Sequence, residues 1–148
     1  MVISILISLG VGGLSALLTR NSMDVYKDLV KPELAPPSWV FPVVWTVLFI
    51  LMGISAYLVY ISDSLYKNSA LKIYAAQLVV NFFWTIIFFN LEMYLLAFFW
   101  LILLWILIVL MIASFYKVNK TAAYLMIPYL LWVTFAGYLN LSIYLLNR

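Results

Sequence analysis

Charged side chains cluster along this chain and leave five stretches with none: residues 1–19, 34–62, 73–91, 93–116 and 121–147. Each is apolar and about as long as, or longer than, the roughly 20 residues a helix needs to cross a hydrocarbon core about 30 Å thick. The pattern predicts an all-α integral membrane protein, a bundle of five transmembrane helices at about 2–19, 39–61, 71–89, 95–116 and 122–146. No internal repeat is visible, so residues 1–148 are read as one transmembrane domain with a long connection, 20–38, between helices 1 and 2.

Finer patterns assign faces. In the first helix Ser4, Ser8, Gly12 and Ala16 recur every fourth residue, a stripe of small side chains that lets two backbones approach closely in lipid. It serves packing either within one chain or across a homodimer. The second helix aligns Trp45, Phe49, Gly53, Ala56 and Tyr60, with Ser38 a candidate cap and Pro42 in its opening turn, where a missing amide costs least. The third places Gln77, Asn81 and Thr85 four apart. Amides facing hydrocarbon without partners are costly, so that stripe faces the bundle interior, as glue between helices or as part of a pocket. The fourth is nearly all Leu, Ile, Trp and Phe and reads as lipid-facing scaffold. In the fifth, Pro128 kinks the helix, and Tyr129, Trp132, Ala136, Asn140 and Tyr144 share a face.

Composition agrees with lipid as the main solvent: 68% of the 148 residues are hydrophobic and 9% charged. The mean hydropathy is +1.16. With no Cys or His, disulfides, thiol chemistry, zinc sites and the usual haem ligands have no residues to use, and no cofactor is expected. The acids lie outside the charge-free spans, so proton coupling at mid-membrane and paired-carboxylate catalysis are disfavoured. The net charge is +3, but the basic residues are spread over several loops and form no stripe, which gives no nucleic-acid surface. Four basic residues fall on each side of the membrane, so the charge bias sets no orientation. The first stretch lacks a basic start and is read as a retained helix rather than a secretion signal.

What remains is a cavity walled by Trp45, Asn81, Trp132 and Phe135 and roofed by the proline-bearing connection, which holds six of the thirteen charges. Such a pocket suits planar or rigid lipophilic molecules. Two permissive sterol-type patterns are also present, Leu141, Tyr144 and Arg148 at the chain end and Leu110, Tyr116 and Lys120 after the fourth helix.

Three ordered blocks carry a resemblance. They are Tyr26, Leu29, Lys31, Pro32, Pro36, Pro37, Trp39, Phe41, Trp45, Met52 and Gly53; then Asn81, Trp84, Thr85, Phe88 and Phe89; then Pro128, Tyr129, Trp132, Phe135, Ala136, Leu139 and Asn140. Over essentially its whole length the chain resembles the translocator protein family, also called tryptophan-rich sensory protein or peripheral benzodiazepine receptor. It departs from that pattern at Val25, Leu34 and Phe82. The resemblance implies a lid loop at 20–38 over a pocket that takes porphyrins such as protoporphyrin, isoquinoline and benzodiazepine drugs and, in some members, sterols. Carried over, the pocket uses Tyr26, Pro36, Trp45, Phe49, Asn81, Trp84, Trp132 and Ala136, and Lys27 and Lys31 are candidates to meet porphyrin propionates. Sensing or transport is the first expectation. The alternative is light-dependent porphyrin degradation, with Trp45 and Trp132 as redox-active groups. Homodimers are common among similar proteins, and the short chain ends favour a bacterial cell membrane over a mitochondrial outer membrane.

Overall fold

The computed structural model describes residues 1–19, 31–33, 36 and 39–147. Its helices are α1 (Val2–Thr19), α2 (Val40–Tyr60), α3 (Lys67–Thr85), α4 (Tyr94–Val118), α5 (Lys120–Leu125) and α6 (Ile127–Asn147), and among the described residues there is no strand. A π-helical turn, Ile86–Asn90, continues α3, and α5 with α6 makes up the fifth predicted helix. Val40–Tyr60, Lys67–Asn90, Tyr94–Val118 and Lys120–Asn147 are long and apolar enough to cross a membrane, while α1 offers the shorter apolar run Val2–Leu18. That run is at the low end of the spanning range of about 17–25 residues.

Local chemistry explains the helix ends. α2 begins after Trp39 without a side-chain cap; the expected cap, Ser38, lies outside the described residues. Thr46 Oγ1 donates to the Pro42 carbonyl at 2.6 Å, inside the opening turn. α3 starts four residues before its apolar pattern does, because Lys67 can keep its ammonium in the interface while its stem lies along the helix. The α4–α5 turn is Asn119 alone, extended at φ −157°, and its Oδ1 caps α5 by accepting from the Ala122 amide at 3.0 Å. The break after α5 falls at Met126, two residues before Pro128, whose ring cannot donate to the Tyr124 carbonyl.

The small-residue stripe of α1 packs within the chain. Ser4 Oγ donates to the Gly53 carbonyl and Ser8 Oγ to the Phe49 carbonyl, both at 2.6 Å. The backbone of Ile5 fills the space where a Cβ on Gly53 would sit, and the Phe49 ring fills the corresponding space at Gly12. The α1–α2 approach is therefore set by glycine on both sides. Across the bundle, Ser55 Oγ on α2 donates to the Ala122 carbonyl on α5 at 2.6 Å, and Trp100 Nε1 on α4 to the Val80 carbonyl on α3 at 2.8 Å.

α4 has two faces rather than one. Ala97, Leu101, Leu104, Ile108, Met111 and Phe115 are buried at alternating spacings of four and three, a seam that packs against α3, α5 and α6. Phe99, Ile102, Ile106 and Leu110 point outward. Leu6, Leu14, Val43, Val47 and Leu131 are likewise exposed, so the outer surface is apolar on several sides. The chain is an integral membrane protein.

Gly53→Ala should force α1 away from α2 and destabilise the bundle by about 1–3 kcal/mol. Gly10→Ala and Gly13→Ala, whose added methyl groups meet nothing within 4 Å, should keep stability or raise it by up to about 1 kcal/mol. Thermal unfolding of the three variants in one detergent checks the contrast.

Candidate functional site: an aromatic cavity at the loop end

The α1–α2 connection leaves the bundle where α1 ends, α2 begins and the π turn closes α3. At that end a cavity of about 250 Å³ is lined by Gly12, Ser15 and Ala16 of α1, by Phe41, Pro42, Trp45 and Phe49 of α2, and by Asn81, Trp84, Thr85 and Phe89 of α3 and its π turn. The small α1 residues leave the room, and five aromatic rings form most of the wall. Trp45 is the hub: its ring centroid lies 5.7 Å from Phe49, 6.4 Å from Trp84, 6.1 Å from Tyr129 and 6.4 Å from Trp132, the last two edge-on.

A buried polar relay stands behind this wall. The Tyr129 hydroxyl donates to Gln77 Oε1 at 2.7 Å and accepts from Asn81 Nδ2 at 2.7 Å, so one phenol on α6 satisfies two amides on α3. Gln77, Asn81 and Tyr129 are each at most 2% exposed. A second relay runs from Trp84 Nε1 to Asn140 Oδ1 at 3.2 Å and from Asn140 Nδ2 to the Tyr94 carbonyl at 2.8 Å. Asn81 thus does two jobs: its amide nitrogen is committed to Tyr129, and its carbonyl oxygen is the acceptor it can turn to the cavity.

The π turn shapes the far wall. Its Leu91 amide donates to the Ile86 carbonyl at 3.1 Å, and the extra residue per turn brings Ile87, Phe88 and Phe89 inward together, which one face of an α-helix does not allow. Phe88 and Phe89 then pack edge-on at 4.8 Å, and both contact Trp84.

Of the residues proposed from sequence, Trp45, Phe49, Asn81 and Trp84 line this one cavity. The others lie elsewhere. Trp132 and Pro36, with Phe135, line a groove of about 620 Å³ between α2 and α6 on the other side of Phe41; Trp132 meets Phe41 edge-on at 5.8 Å and stacks on Phe135 at 5.6 Å. Ala136 borders a void of about 10 Å³ with Phe41, Trp84 and Asn140, at or below the size needed for one water. Tyr26, Lys27, Val25, Leu34 and Arg148 lie outside the described residues. Leu141 lines a lipid-side groove between α4 and α6 and Tyr144 is half-buried; Leu110 is exposed, and Lys120 Nζ sits 5.5 Å above the Tyr116 ring.

The sequence pattern overlooked Phe41, Phe89 and the α1 wall. Phe89 continues the Gln77, Asn81, Thr85 series by one more step of four, and Gly12 and Ala16 belong to the small stripe, so both signals were present. Among the described residues no cluster of acids could hold a metal.

Fold and cavity together define a polytopic helical membrane protein with an aromatic cavity at one end of the bundle. The family model for the TspO/MBR family matches residues 4–146, and the chain belongs to that family. It is 39% identical over 148 residues to the tryptophan-rich protein TspO of Chlorobaculum tepidum, covering 98% of this chain and 92% of the relative. It is 38% identical over 149 residues to the tryptophan-rich protein TspO of Archaeoglobus fulgidus, covering 99% and 96%. The translocator protein of Homo sapiens is 32% identical over 122 residues, covering 80% of this chain and 72% of the relative.

Removing the Tyr129 hydroxyl leaves two buried amides short of a partner. Tyr129→Phe should therefore cost about 1–3 kcal/mol, whereas Trp105→Phe, which breaks an exposed bond to Thr134, should cost little. Midpoints of thermal unfolding in detergent for the two variants provide the comparison.

Proposed function

We propose that this chain binds flat tetrapyrroles of the protoporphyrin type, and drug-sized aromatic molecules, in the cavity between α1, α2 and α3, and acts as a sensor or carrier of them in a bacterial cell membrane. The observation that carries the reading is the wall itself: Phe41, Trp45, Phe49, Trp84 and Phe89 enclose about 250 Å³ beside a single amide, Asn81. Aromatic faces stack on a flat conjugated ligand, and one acceptor fixes its orientation. The names of the relatives, translocator protein and tryptophan-rich sensory protein, fit a role in moving or sensing a ligand.

Volume refines the proposal. Pockets for drug-sized ligands run from about 300 to 1,000 Å³, so the cavity as it stands suits a small bicyclic drug at most. A tetrapyrrole needs more, and the space lies beyond Phe41, in the α2–α6 groove bordered by Pro36 and Trp132. Turning the Phe41 and Trp132 rings joins the two spaces and brings Trp132 and Trp45 to the same ligand. Porphyrin degradation in light would use that same pair, so binding and turnover separate by experiment.

Protoporphyrin is titrated into detergent-purified protein in the dark and then illuminated, for the parent chain and for the Trp45→Phe, Trp132→Phe double variant. Saturable dark binding that the double variant weakens at least several-fold, with a stable porphyrin spectrum, is the expected result. Loss of the spectrum that requires the tryptophans would establish the degradative reading instead, and no saturable binding would remove the porphyrin assignment.

Porphyrin propionates also offer a charge test on the connection. Replacing Lys27 and Lys31 with Gln should weaken a dicarboxylic porphyrin several-fold and spare a neutral isoquinoline. Equal loss of both ligands, measured by competition binding, would exclude pairing of these lysines with the propionates.

A further inference from the structure

We propose that the end of the bundle opposite the aromatic cavity holds a site for an anionic phospholipid, with the phosphate at Lys67 and an acyl chain in a groove between α1, α2 and α3. The groove measures about 430 Å³ and is lined by Ile3 and Ile7 of α1, Ala56 and Tyr60 of α2, and Leu71 and Tyr74 of α3, among others. Ile3, Ile7 and Tyr60 are exposed, so the groove opens sideways to lipid.

Lys67 stands at its mouth. It is four residues before Leu71 and seven before Tyr74, on the same face of α3. Its Nζ donates to the Tyr60 carbonyl at 2.9 Å and lies 5.2 Å above the Tyr60 ring, which pins the ammonium where the apolar groove meets the interface. Lys117 and Lys120 sit in the same way over Tyr66 and Tyr116, at 5.6 and 5.5 Å. Tyrosine rings occupy the headgroup level of a bilayer, so these ammonium groups lie at the depth of lipid phosphates. Tyr74, 7% exposed, closes the inner wall of the groove.

Charge selects the headgroup. Lys67, Lys72, Lys117 and Lys120 belong to this end with Asp63 as the one acid, while the segments at the loop end carry four basic and four acidic side chains. The whole net charge of +3 is therefore concentrated here. A zwitterionic headgroup adds a cation to a cationic rim, a sterol brings no anion, and a second copy would place like charges face to face. An anionic phospholipid alone matches both the rim and the groove.

The test counts lipids retained by the full chain, extracted from nanodiscs of equal phosphatidylglycerol and phosphatidylcholine, by native mass spectrometry. Phosphatidylglycerol should be retained about fivefold over phosphatidylcholine, the discrimination that one lysine near the surface supplies. Lys67→Gln should bring the ratio close to parity. Ile7→Trp, which fills the groove from an exposed position, should reduce retention of lipid altogether. Unchanged far-ultraviolet circular dichroism shows that both variants are folded. Equal retention of the two headgroups by the parent chain, or a ratio unmoved by Lys67→Gln, overturns the proposal. So does displacement of the lipid by inorganic phosphate with no effect of Ile7→Trp, which would leave a bare anion site.

Discussion

A single phenol holds the centre of this bundle together. In hydrocarbon there is no water to satisfy an amide, and α3 carries two, Gln77 and Asn81, one turn apart. The Tyr129 hydroxyl answers both at 2.7 Å, which fixes the depth and rotation of α6 against α3 at once. Because a side-chain hydrogen bond fails when its partners slide by an ångström or so, this relay sets register where apolar packing alone would allow several. The same logic recurs at other interfaces: Ser8 to the Phe49 carbonyl joins α1 to α2, Ser55 to the Ala122 carbonyl joins α2 to α5, and Trp100 to the Val80 carbonyl joins α4 to α3. Each is a side-chain donor reaching a backbone carbonyl of the neighbouring helix, with apolar surface around it.

The cavity follows from that register. With α6 locked to α3, the Trp45 ring is trapped among Trp84, Tyr129 and Trp132, each about 6 Å away, and cannot collapse onto α1. The α1 wall cannot close the gap either, since at Gly12 and Ala16 it has little to offer. The void is thus the space left between an aromatic layer held by hydrogen bonds and a helix face made small so that α1 can approach α2. Structural economy and ligand-sized room come from the same residues.

The helices and their inward faces were legible because lipid imposes a simple rule: charge-free length means span, and a polar stripe means interior. Gln77, Asn81 and Asn140 were placed correctly on that rule. What it left unread was the division of the aromatic residues. Trp132 shares its helix face with Tyr129 and Ala136, and periodicity gave no reason to separate it from Trp45. The two indoles touch edge-on at 6.4 Å yet face different spaces, Trp45 the cavity it shares with Phe41 and Trp132 the α2–α6 groove, and the break at Met126 resets the start of α6. The π turn was also invisible, because one residue inserted into a helical register leaves no compositional mark. α4, read as scaffold facing lipid, proved to carry a heptad-like seam that a uniform run of Leu, Ile, Trp and Phe conceals.

Where the fold leaves a polar group unanswered is as informative as where it does not. Buried polar atoms without partners are uncommon and call for a reason. Among the described residues Trp132 Nε1 is in this state, and its ring borders the open groove between α2 and α6. The Trp84 indole and the amides of Gln77, Asn81 and Asn140 are tied into the helix contacts. A bundle that ties these groups down has no packing reason to leave the Trp132 indole out. That indole nitrogen lies sealed behind the groove wall, so the Trp132 ring must turn before an acceptor can reach it, the same ring motion that would join the groove to the aromatic cavity.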